Sequence, residues 1–306
     1  QLLGLLGSQL AQTLERERLH QEALARQRLE QELNLARDIQ ASFLPAGCPV
    51  VPGYTIAAFY RAARQVGGDF YDFIELANEQ PTNIEHSGEP MARGQAQPKG
   101  ALPGNREREL EFWRTGRMPP RAAKTKQPIE LHSPGRLGIV IADVTDKGVP
   151  AALFMALSRT LIRATASDGR APAGVLERAH RLILSDARSG LFVTCFYAIL
   201  DIESGDLLFA DGGHNYPLHY RQAQATIEPL QTQGIVLGIV PDARFEQHAT
   251  VVEPGDVICF YTDGVTEAMN PRRQLFGEER LAEILRRSHH LGPEEIIERI
   301  IDAVTN

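Results

Sequence analysis

The apolar run Leu137-Gly138-Ile139-Val140-Ile141-Ala142, followed at once by Asp143-Val144-Thr145-Asp146-Lys147-Gly148, decides the fold class of this 306-residue chain. Six apolar residues in succession predict a strand that is buried on both faces. Pro150 stands where a helix begins. The next residues predict that helix, because apolar side chains recur on one stripe: Phe154, Leu157, Leu161 and Ala164. A buried strand therefore ends in an aspartate and passes directly into a helix.

Further strands are predicted on both sides of this centre. Upstream, Tyr54–Tyr60 and Phe70–Leu76 show strand composition and are joined by a Gly67-Gly68-Asp69 turn. A second helix is predicted over 172–187, and two short amphipathic helices end the chain. The downstream strands, separated by turn signals, are predicted at Val193–Asp201, Asp206–Ala210, Leu218–Arg221, Phe245–Val252 and Asp256–Thr262. This order predicts an α+β fold, a β-sandwich flanked by helices, rather than a parallel α/β array.

The first 43 residues predict a helical connector. Residues 9–43 contain no Gly or Pro and are rich in Leu, Glu, Arg, Gln and Ala, which favours one long helix. Its apolar seam is broken at Arg26 and Gln40, where a strict heptad would place apolar side chains. Two interpretations stay open: a coiled-coil-like rod that forms a homodimer, or a monomeric helix folded onto the following domain. The helix is expected to stop before Pro45.

Residues 44–306 are predicted to form the second domain, interrupted at 78–135. That segment is rich in Pro, Gly, Gln, Arg and Glu and shows little apolar periodicity. A loop of this length is uncommon inside a compact domain, so we predict an insertion or a disordered arm.

Composition excludes several classes of protein. A net charge of −7 argues against a general nucleic-acid binder, because phosphate backbones demand a basic surface. Three widely spaced cysteines without a CxxC pair suggest neither a zinc site nor a disulfide framework. No stretch approaches the roughly 20 apolar residues of a membrane span. A cytoplasmic protein is expected, and the initial Gln1 suggests a fragment of a longer one.

Three carboxylates occupy the same kind of position, at or beside the end of an apolar strand. They are Asp69, Asp143 and Asp263, and glycine stands next to the first and the third. Hard divalent cations require oxygen ligands that converge without crowding. Each aspartate alone is also typical of a plain turn, but all three together predict a metal site.

The order of these motifs resembles the bacterial branch of the PP2C-type (PPM) serine/threonine phosphatases, the stage II sporulation E family. The resemblance covers about residues 34–78 and 136–304. The matching segments are ARDIQ (36–40), LP (44–45), VGGDFYD (66–72), ADVTDKGVPAA (142–152), GGHN (212–215), LGI (237–239) and YTDGVTEA (261–268).

The resemblance implies a site for two ions, Mn²⁺ or Mg²⁺, and water attack on phosphorus without a covalent phosphoenzyme. Asp143 would bridge the ions, Asp69 and Asp263 would each hold one side, and the Val144 carbonyl would add a backbone ligand. The family also carries a later strand whose Asp-Asp pair completes one metal site. The sequence ends at Asn306 without that motif, so we expect one weakly bound ion and low activity in this fragment.

The resemblance also implies a partner and an architecture. The expected substrate is a phosphorylated regulatory protein, an anti-sigma-factor antagonist with a STAS fold. The start of the chain is similar to the last helix of a GAF-type sensor domain, which would lie upstream. The alternative functions are a catalytically weak or inactive signalling and docking module, and a small-molecule phosphohydrolase. His214 is open to two interpretations, a structural residue or a neighbour of the site.

Overall fold

Ten strands and six helices make up the part of the chain that this computed structural model describes, which is residues 2–62, 65–76, 129–130, 135–186 and 190–305. The strands are β1 (Pro49–Val50), β2 (Phe70–Leu76), β3 (Ile129–Glu130), β4 (Arg136–Val144), β5 (Val193–Asp201), β6 (Asp206–Gly212), β7 (Leu218–Arg221), β8 (Thr226–Pro229), β9 (Gln247–Val251) and β10 (Val257–Cys259). The helices are α1 (Leu2–Phe43), α2 (Val149–Ala166), α3 (Pro172–Asp186), α4 (Asp263–Thr266), α5 (Glu278–Ser288) and α6 (Pro293–Thr305).

Strand β4 lies inside a five-stranded antiparallel sheet with the order β2-β4-β5-β6-β9. It pairs along its whole length with β5, and β2 pairs with its other edge. Leu137 and Ile141 point to one apolar cluster, whereas Val140 and Ala142 belong to the cluster on the opposite face. The prediction of a strand buried on both faces is therefore confirmed.

Helices α2 and α3 cover one face of this sheet. Of the stripe predicted for α2, Phe154 is buried but Leu157 and Ala164 are exposed. The fully buried side chains of the two helices include Met155, Ile162, Leu176 and Ile183. These side chains share one cluster with the apolar residues of β2, β4 and β5. Burial of side chains of this size contributes roughly 1.5–3 kcal/mol each, so this layer stabilises the sheet strongly.

A three-stranded sheet with the order β10-β7-β8 packs on the other face. Ile258 and Phe260 reach the large sheet, where the Phe260 ring meets Phe196 edge-on with a centroid distance of 6.0 Å. Helices α5 and α6 cover the far side of the small sheet through Leu281 and Ile296. The predicted α+β sandwich flanked by helices is confirmed as helices, sheet, sheet, helices.

The strand predicted at Tyr54–Tyr60 is wrong. Beyond one bridge between Val51 and Tyr54, residues 55–62 have no regular secondary structure. Tyr54 and Ile56 pack their side chains against the apolar cluster between the sheets. Their strand-like composition therefore reflects side-chain burial, while β2 remains the edge of its sheet.

The segment 78–135 lies outside the described residues except for 129–130 and 135. Within it, Ile129 and Glu130 form the short strand β3, which pairs in parallel with β1. The Ile129 amide donates to the Cys48 carbonyl oxygen at 3.2 Å. Ile129 and Glu130, near the end of the predicted insertion, are thus part of the folded domain. The sequence did not indicate this strand, because backbone pairing does not need a periodic side-chain pattern.

Helix α1 is confirmed as one long helix that ends at Phe43, just before Leu44 and Pro45. Several of its apolar residues are exposed, among them Leu14 and Leu29. Gln40, by contrast, is buried. Among the described residues, no helix has an apolar stretch long enough to cross a lipid bilayer.

Candidate active site

The three predicted aspartates come from separate segments that meet at one end of the sandwich. Asp69 directly precedes β2, and the pairing of Phe70 with Ala142 places it beside Asp143, the penultimate residue of β4. Asp263 begins helix α4, after the last strand of the small sheet. Two carboxylates of the site therefore lie at one end of neighbouring strands in the large sheet, and the third follows the last strand of the small sheet.

Gly68 allows the close approach of these segments. A Cβ atom at this position would overlap the Val144 carbonyl oxygen and lie 2.9 Å from Asp143 Oδ1. Only glycine fits without displacing one of them. The Val144 carbonyl oxygen, predicted as a backbone ligand, therefore lies beside the Asp143 carboxyl group and faces the same loop.

Thr262 connects Asp69 with Asp263. Its hydroxyl donates to Asp69 Oδ2 at 2.9 Å, and Asp263 is the next residue. Gly264 also lies close, since a Cβ there would be 3.7 Å from Asp69 Oδ2. The hydrogen bond thus holds the start of α4 against the Asp69 loop.

The electrostatics of the site are those of crowded carboxyl groups. Burial, a hydrogen bond with Asp69 and the charges of Asp69 and Asp263 raise the pKa of Asp143 to about 8. Burial, together with the charges of Asp69 and Glu267, also raises the pKa of Asp263, which Lys147 partly opposes. A hydrogen bond between two carboxyl groups requires a proton on one of them. The cluster therefore holds more negative charge than its own surroundings compensate.

A cavity of about 420 Å³ opens beside this cluster. Its described lining contains four acidic residues, no cysteine and no lysine or arginine. The lining residues are Asp143, Thr194, Gly213, His214, Asn215, Tyr216, Asp263, Glu267 and Glu278. A phosphate group would be repelled from such a lining unless cations entered with it.

His214 is both a buried residue and a neighbour of the candidate site, because it lines the cavity. Both interpretations that the sequence left open therefore describe it. Its Nδ1 lies 2.8 Å from Thr194 Oγ1, and that hydroxyl donates to the Asp143 carbonyl oxygen at 3.3 Å. Burial lowers the pKa of His214 to about 4, so the ring is neutral at pH 7. It can hold Thr194 in place but does not add a positive charge.

Sequence reasoning missed several neighbours of the site. Burial and the charges of Asp69 and Asp143 raise the pKa of Tyr60 to about 12, which places its hydroxyl near both aspartates. Glu278 lines the cavity and accepts a hydrogen bond from Tyr261 at 2.9 Å. Tyr60 belonged to a predicted strand and Glu278 to a helix, so no local pattern marked them. Arg64, just upstream of the Val66-Gly67-Gly68-Asp69 turn, has two interpretations from the sequence, an anchor for a phosphate or an ordinary surface arginine, and it lies outside the described residues.

The residues fit a divalent cation by their chemistry. All the candidate ligands are oxygens, as Mg²⁺ and Mn²⁺ prefer, and Mg²⁺ commonly keeps several waters beside one or two carboxylates. Among the described residues, no three Asp, Glu, His or Cys side chains enclose a metal position by themselves. Burial and the neighbouring carboxyl groups raise the pKa of Asp143, and a bound cation would offset both effects by stabilising its charged form.

The four-layered sandwich and the strand-end aspartates define a protein of the PP2C fold. A solved structure of the PP2C domain of SiaA from Pseudomonas aeruginosa shares this fold, with a TM-score of 0.63 and 19% identity over 92% of this chain and 90% of that chain. The family model for stage II sporulation protein E (SpoIIE) matches residues 133–306. The chain belongs to the SpoIIE family of PP2C-type phosphatases.

Two curated relatives are similar in sequence to most of this chain, and a further solved structure shares its fold. The chain is 26% identical over 241 residues to the phosphoserine phosphatase RsbU of Bacillus subtilis, covering 79% of this chain and 55% of RsbU. It is 27% identical over 281 residues to protein IcfG of Synechocystis, covering 83% of this chain and 35% of IcfG. The chain thus spans about half or less of these relatives. The structure of the RsbU and RsbW domains of a Mycobacterium tuberculosis protein matches 86% of this chain and 57% of that chain, with a TM-score of 0.54 and 24% identity.

Proposed function

We propose that this chain is a metal-dependent protein phosphatase that hydrolyses phosphoserine or phosphothreonine. The observation that carries the proposal is the convergence of Asp69, Asp143 and Asp263 at one site, where burial and then the neighbouring carboxyl groups raise the pKa of Asp143 to about 8. Such mutual repulsion is typical of a site that binds a cation. Membership of the SpoIIE family supports phosphatase activity at this position.

The residues of the chain have distinct roles in this proposal. Asp143 would bridge two Mn²⁺ or Mg²⁺ ions, with Asp69, Asp263 and the Val144 carbonyl as further ligands. When bound, the ions supply the Lewis acidity that activates a water molecule and offsets charge on the phosphoryl oxygens. Thr262 holds Asp69 through its hydroxyl, and neutral His214 holds Thr194 at the wall of the cavity. Glu267 and Glu278 exclude a phosphate that arrives without cations.

Hydrolysis would proceed by direct water attack. The water oxygen bonds to phosphorus while the bond from phosphorus to the serine oxygen breaks, which releases phosphate and a serine hydroxyl. Burial raises the pKa of Cys259 to about 12 and also raises that of Cys195, so neither thiol ionises at pH 7. A cysteinyl-phosphate route therefore has no support from these residues.

The proposed substrate is a phosphorylated STAS-type antagonist of an anti-sigma factor. The similarity to the phosphoserine phosphatase RsbU of Bacillus subtilis supports phosphoserine as the group that is hydrolysed. The division into a connector (1–43) and a phosphatase domain (44–306) is part of the same proposal. Self-association through α1 is supported by its exposed leucines, including Leu14 and Leu29. A GAF-type sensor upstream stays a prediction.

Phosphate release tests this function. The wild-type chain and Asp143→Asn are compared on a phosphoserine STAS-domain protein and on a phosphotyrosine peptide, with Mn²⁺ or with EDTA. We expect turnover of the phosphoserine protein only with Mn²⁺, and a loss of at least about 100-fold in Asp143→Asn. Asp146→Asn is the matched control, since Asp146 is exposed and its φ of 75° suits asparagine. Binding of the protein without Mn²⁺-dependent turnover would favour a docking module instead.

A further inference from the structure

The last turn of α1 contains a polar side chain where an apolar one is expected. Gln40 is only 4% exposed, whereas its neighbour Ile39 is 48% exposed. The position breaks the apolar seam that the sequence of the helix otherwise suggests. A buried amide is costly unless its donor and acceptor are both satisfied, so its partners indicate its role.

Both partners belong to a single residue of the Asp69 loop. Gln40 Nε2 donates to the Gly67 carbonyl oxygen at 2.5 Å, and Gln40 Oε1 accepts from the Gly67 amide at 3.1 Å. The side-chain amide thus pairs with the backbone of Gly67 as a strand would. Glutamate lacks the donor, leucine lacks both groups, and asparagine is shorter by one methylene.

Gly67 lies two residues before Asp69, and the backbone at both Gly67 and Gly68 is closely packed. A Cβ at Gly67 would lie 3.0 Å from the Tyr60 hydroxyl, which is itself buried. Gly68 lies against the Val144 carbonyl oxygen and Asp143 Oδ1. A displacement of Gly67 would therefore move the Asp69 carboxyl relative to Asp143.

The helix end that carries Gln40 is itself fixed to the domain. Leu44, immediately after α1, packs against the apolar cluster of α2, α3 and the large sheet. The helix end that carries Gln40 is thus fixed to the hydrophobic core through Leu44, while the Gln40 side chain is bonded to the Asp69 loop through Gly67. A rigid support of this kind is what a ligand needs in order to stay within about 0.5 Å of its productive position.

We infer that Gln40 is a positioning residue for the metal ligand Asp69, which makes the last turn of α1 a part of the active site. The inference rests on the proposed function, because it assigns Gln40 an effect on cation binding. It does not place Gln40 in contact with substrate or metal. Its distinguishing consequence is a change in metal affinity without unfolding of the domain.

The test compares Gln40→Leu and Gln40→Glu with the wild-type chain. Gln27→Leu is the matched control, since Gln27 is exposed on the same helix. Leucine has a high helix propensity and extends the apolar seam. A weaker Mn²⁺ affinity in Gln40→Leu would therefore not come from a weaker helix. Amide hydrogen exchange at Gly67 is measured without metal, and Mn²⁺ affinity is measured by calorimetry.

We expect faster exchange at Gly67 and about a 10-fold weaker Mn²⁺ affinity in Gln40→Leu, as two lost hydrogen bonds allow. Gln40→Glu keeps the acceptor for the Gly67 amide but sets a carboxylate oxygen against the Gly67 carbonyl oxygen, so exchange at Gly67 should again be faster than in the wild type, while Gln27→Leu should match the wild type. Faster exchange with unchanged Mn²⁺ affinity would overturn the inference and leave Gln40 as a structural anchor. A wild-type chain that binds no Mn²⁺ would instead overturn the proposed function, and this inference with it.

Discussion

At the scale of single residues, the loop that carries the candidate ligand Asp69 is packed closely on both sides: Gln40 is hydrogen-bonded to Gly67, and Gly68 lies against the Val144 carbonyl oxygen. Asp69, Asp143 and Asp263 could be identified from the sequence because strand ends and adjacent glycines are local patterns. Gln40 could not, because its hydrogen bonds with Gly67 join residues 27 apart in the chain, and Tyr60 could not, because its role depends on the burial of its hydroxyl. Their importance depends on burial and on partners that exist only after folding.

The space at Gly68 gives a first prediction. Gly68→Ala should weaken Mn²⁺ affinity by at least about 10-fold, because the added methyl group overlaps the Val144 carbonyl oxygen and crowds Asp143. Calorimetric titration with Mn²⁺ measures the effect. Gly174→Ala is the control, since a Cβ there meets only Arg170 at 3.7 Å, an ordinary contact. Equal affinities for Gly68→Ala and the wild type would show that this loop does not limit the metal site.

Asp211, at the end of β6, gives a prediction on pH. Burial raises its pKa to about 6, although the Gly213 and His214 amides donate to its carboxylate at 2.9 Å each. A raised carboxyl pKa stabilises the folded chain fully below the unfolded value near 4, and this stabilisation is lost as the pH rises through about 6. Asp211→Asn lacks this titration. The free energy of unfolding of the wild type, relative to the variant, should therefore fall by roughly 2–3 kcal/mol between pH 4 and pH 7.

Urea denaturation in EDTA at several pH values measures this difference, and the variant corrects for every other titrating group. The absolute stability of Asp211→Asn is not the test, because its amide replaces one acceptor with a donor. A difference that does not change between pH 4 and pH 7 would show that the pKa of Asp211 is ordinary in the folded chain.

At the scale of elements, strands with partners on both sides were predicted well. Val193–Asp201 appears with the predicted bounds, because its apolar residues are buried by a helix layer and by the second sheet. Tyr54–Tyr60 had a similar composition but, apart from the local bridge between Tyr54 and Val51, it pairs with none of the described strands. The two-residue strands β1 and β3 escaped prediction because their pairing is carried by backbone groups alone. Composition therefore reports burial more reliably than it reports pairing.

A buried ion pair joins β2 to α2. Asp72 Oδ2 forms an ion pair with Arg159 at 3.0 Å and accepts a hydrogen bond from Arg163 at 2.7 Å, and its side chain is 3% exposed. Asp72→Ala should lower the free energy of unfolding by about 3–5 kcal/mol, because it leaves the largely buried Arg159 without its partner. Arg163→Ala should cost less, about 1 kcal/mol, since that arginine is 45% exposed.

Urea denaturation measures both variants of this pair. Asp168→Ala is the control, because Asp168 and Arg170 form an exposed pair at 3.4 Å that should contribute almost nothing. A loss for Asp72→Ala no greater than that for Asp168→Ala would mean that Asp72 does not hold α2 against the sheet.

At the scale of the whole described domain, the candidate site depends on the packing of the two sheets. Asp69 lies just before β2 and Asp143 near the end of β4 in the large sheet, whereas Asp263 follows the last strand of the small sheet. The Thr262 hydroxyl, which donates to Asp69, crosses between them. A ligand that binds only the folded arrangement stabilises it by mass action, about 2.7 kcal/mol at a concentration 100 times its Kd. Metal binding should thus stabilise the contact between the sheets.

The most direct measurement of the central claim is a calorimetric titration of Mn²⁺ into the wild-type chain, Asp143→Asn and the control Asp146→Asn. The account predicts saturable binding by the wild type and by Asp146→Asn. It predicts at least about 100-fold weaker binding by Asp143→Asn, since the bridging carboxylate is lost. Equal binding by all three chains, or no binding by the wild type, would contradict a metal centre built on Asp69, Asp143 and Asp263.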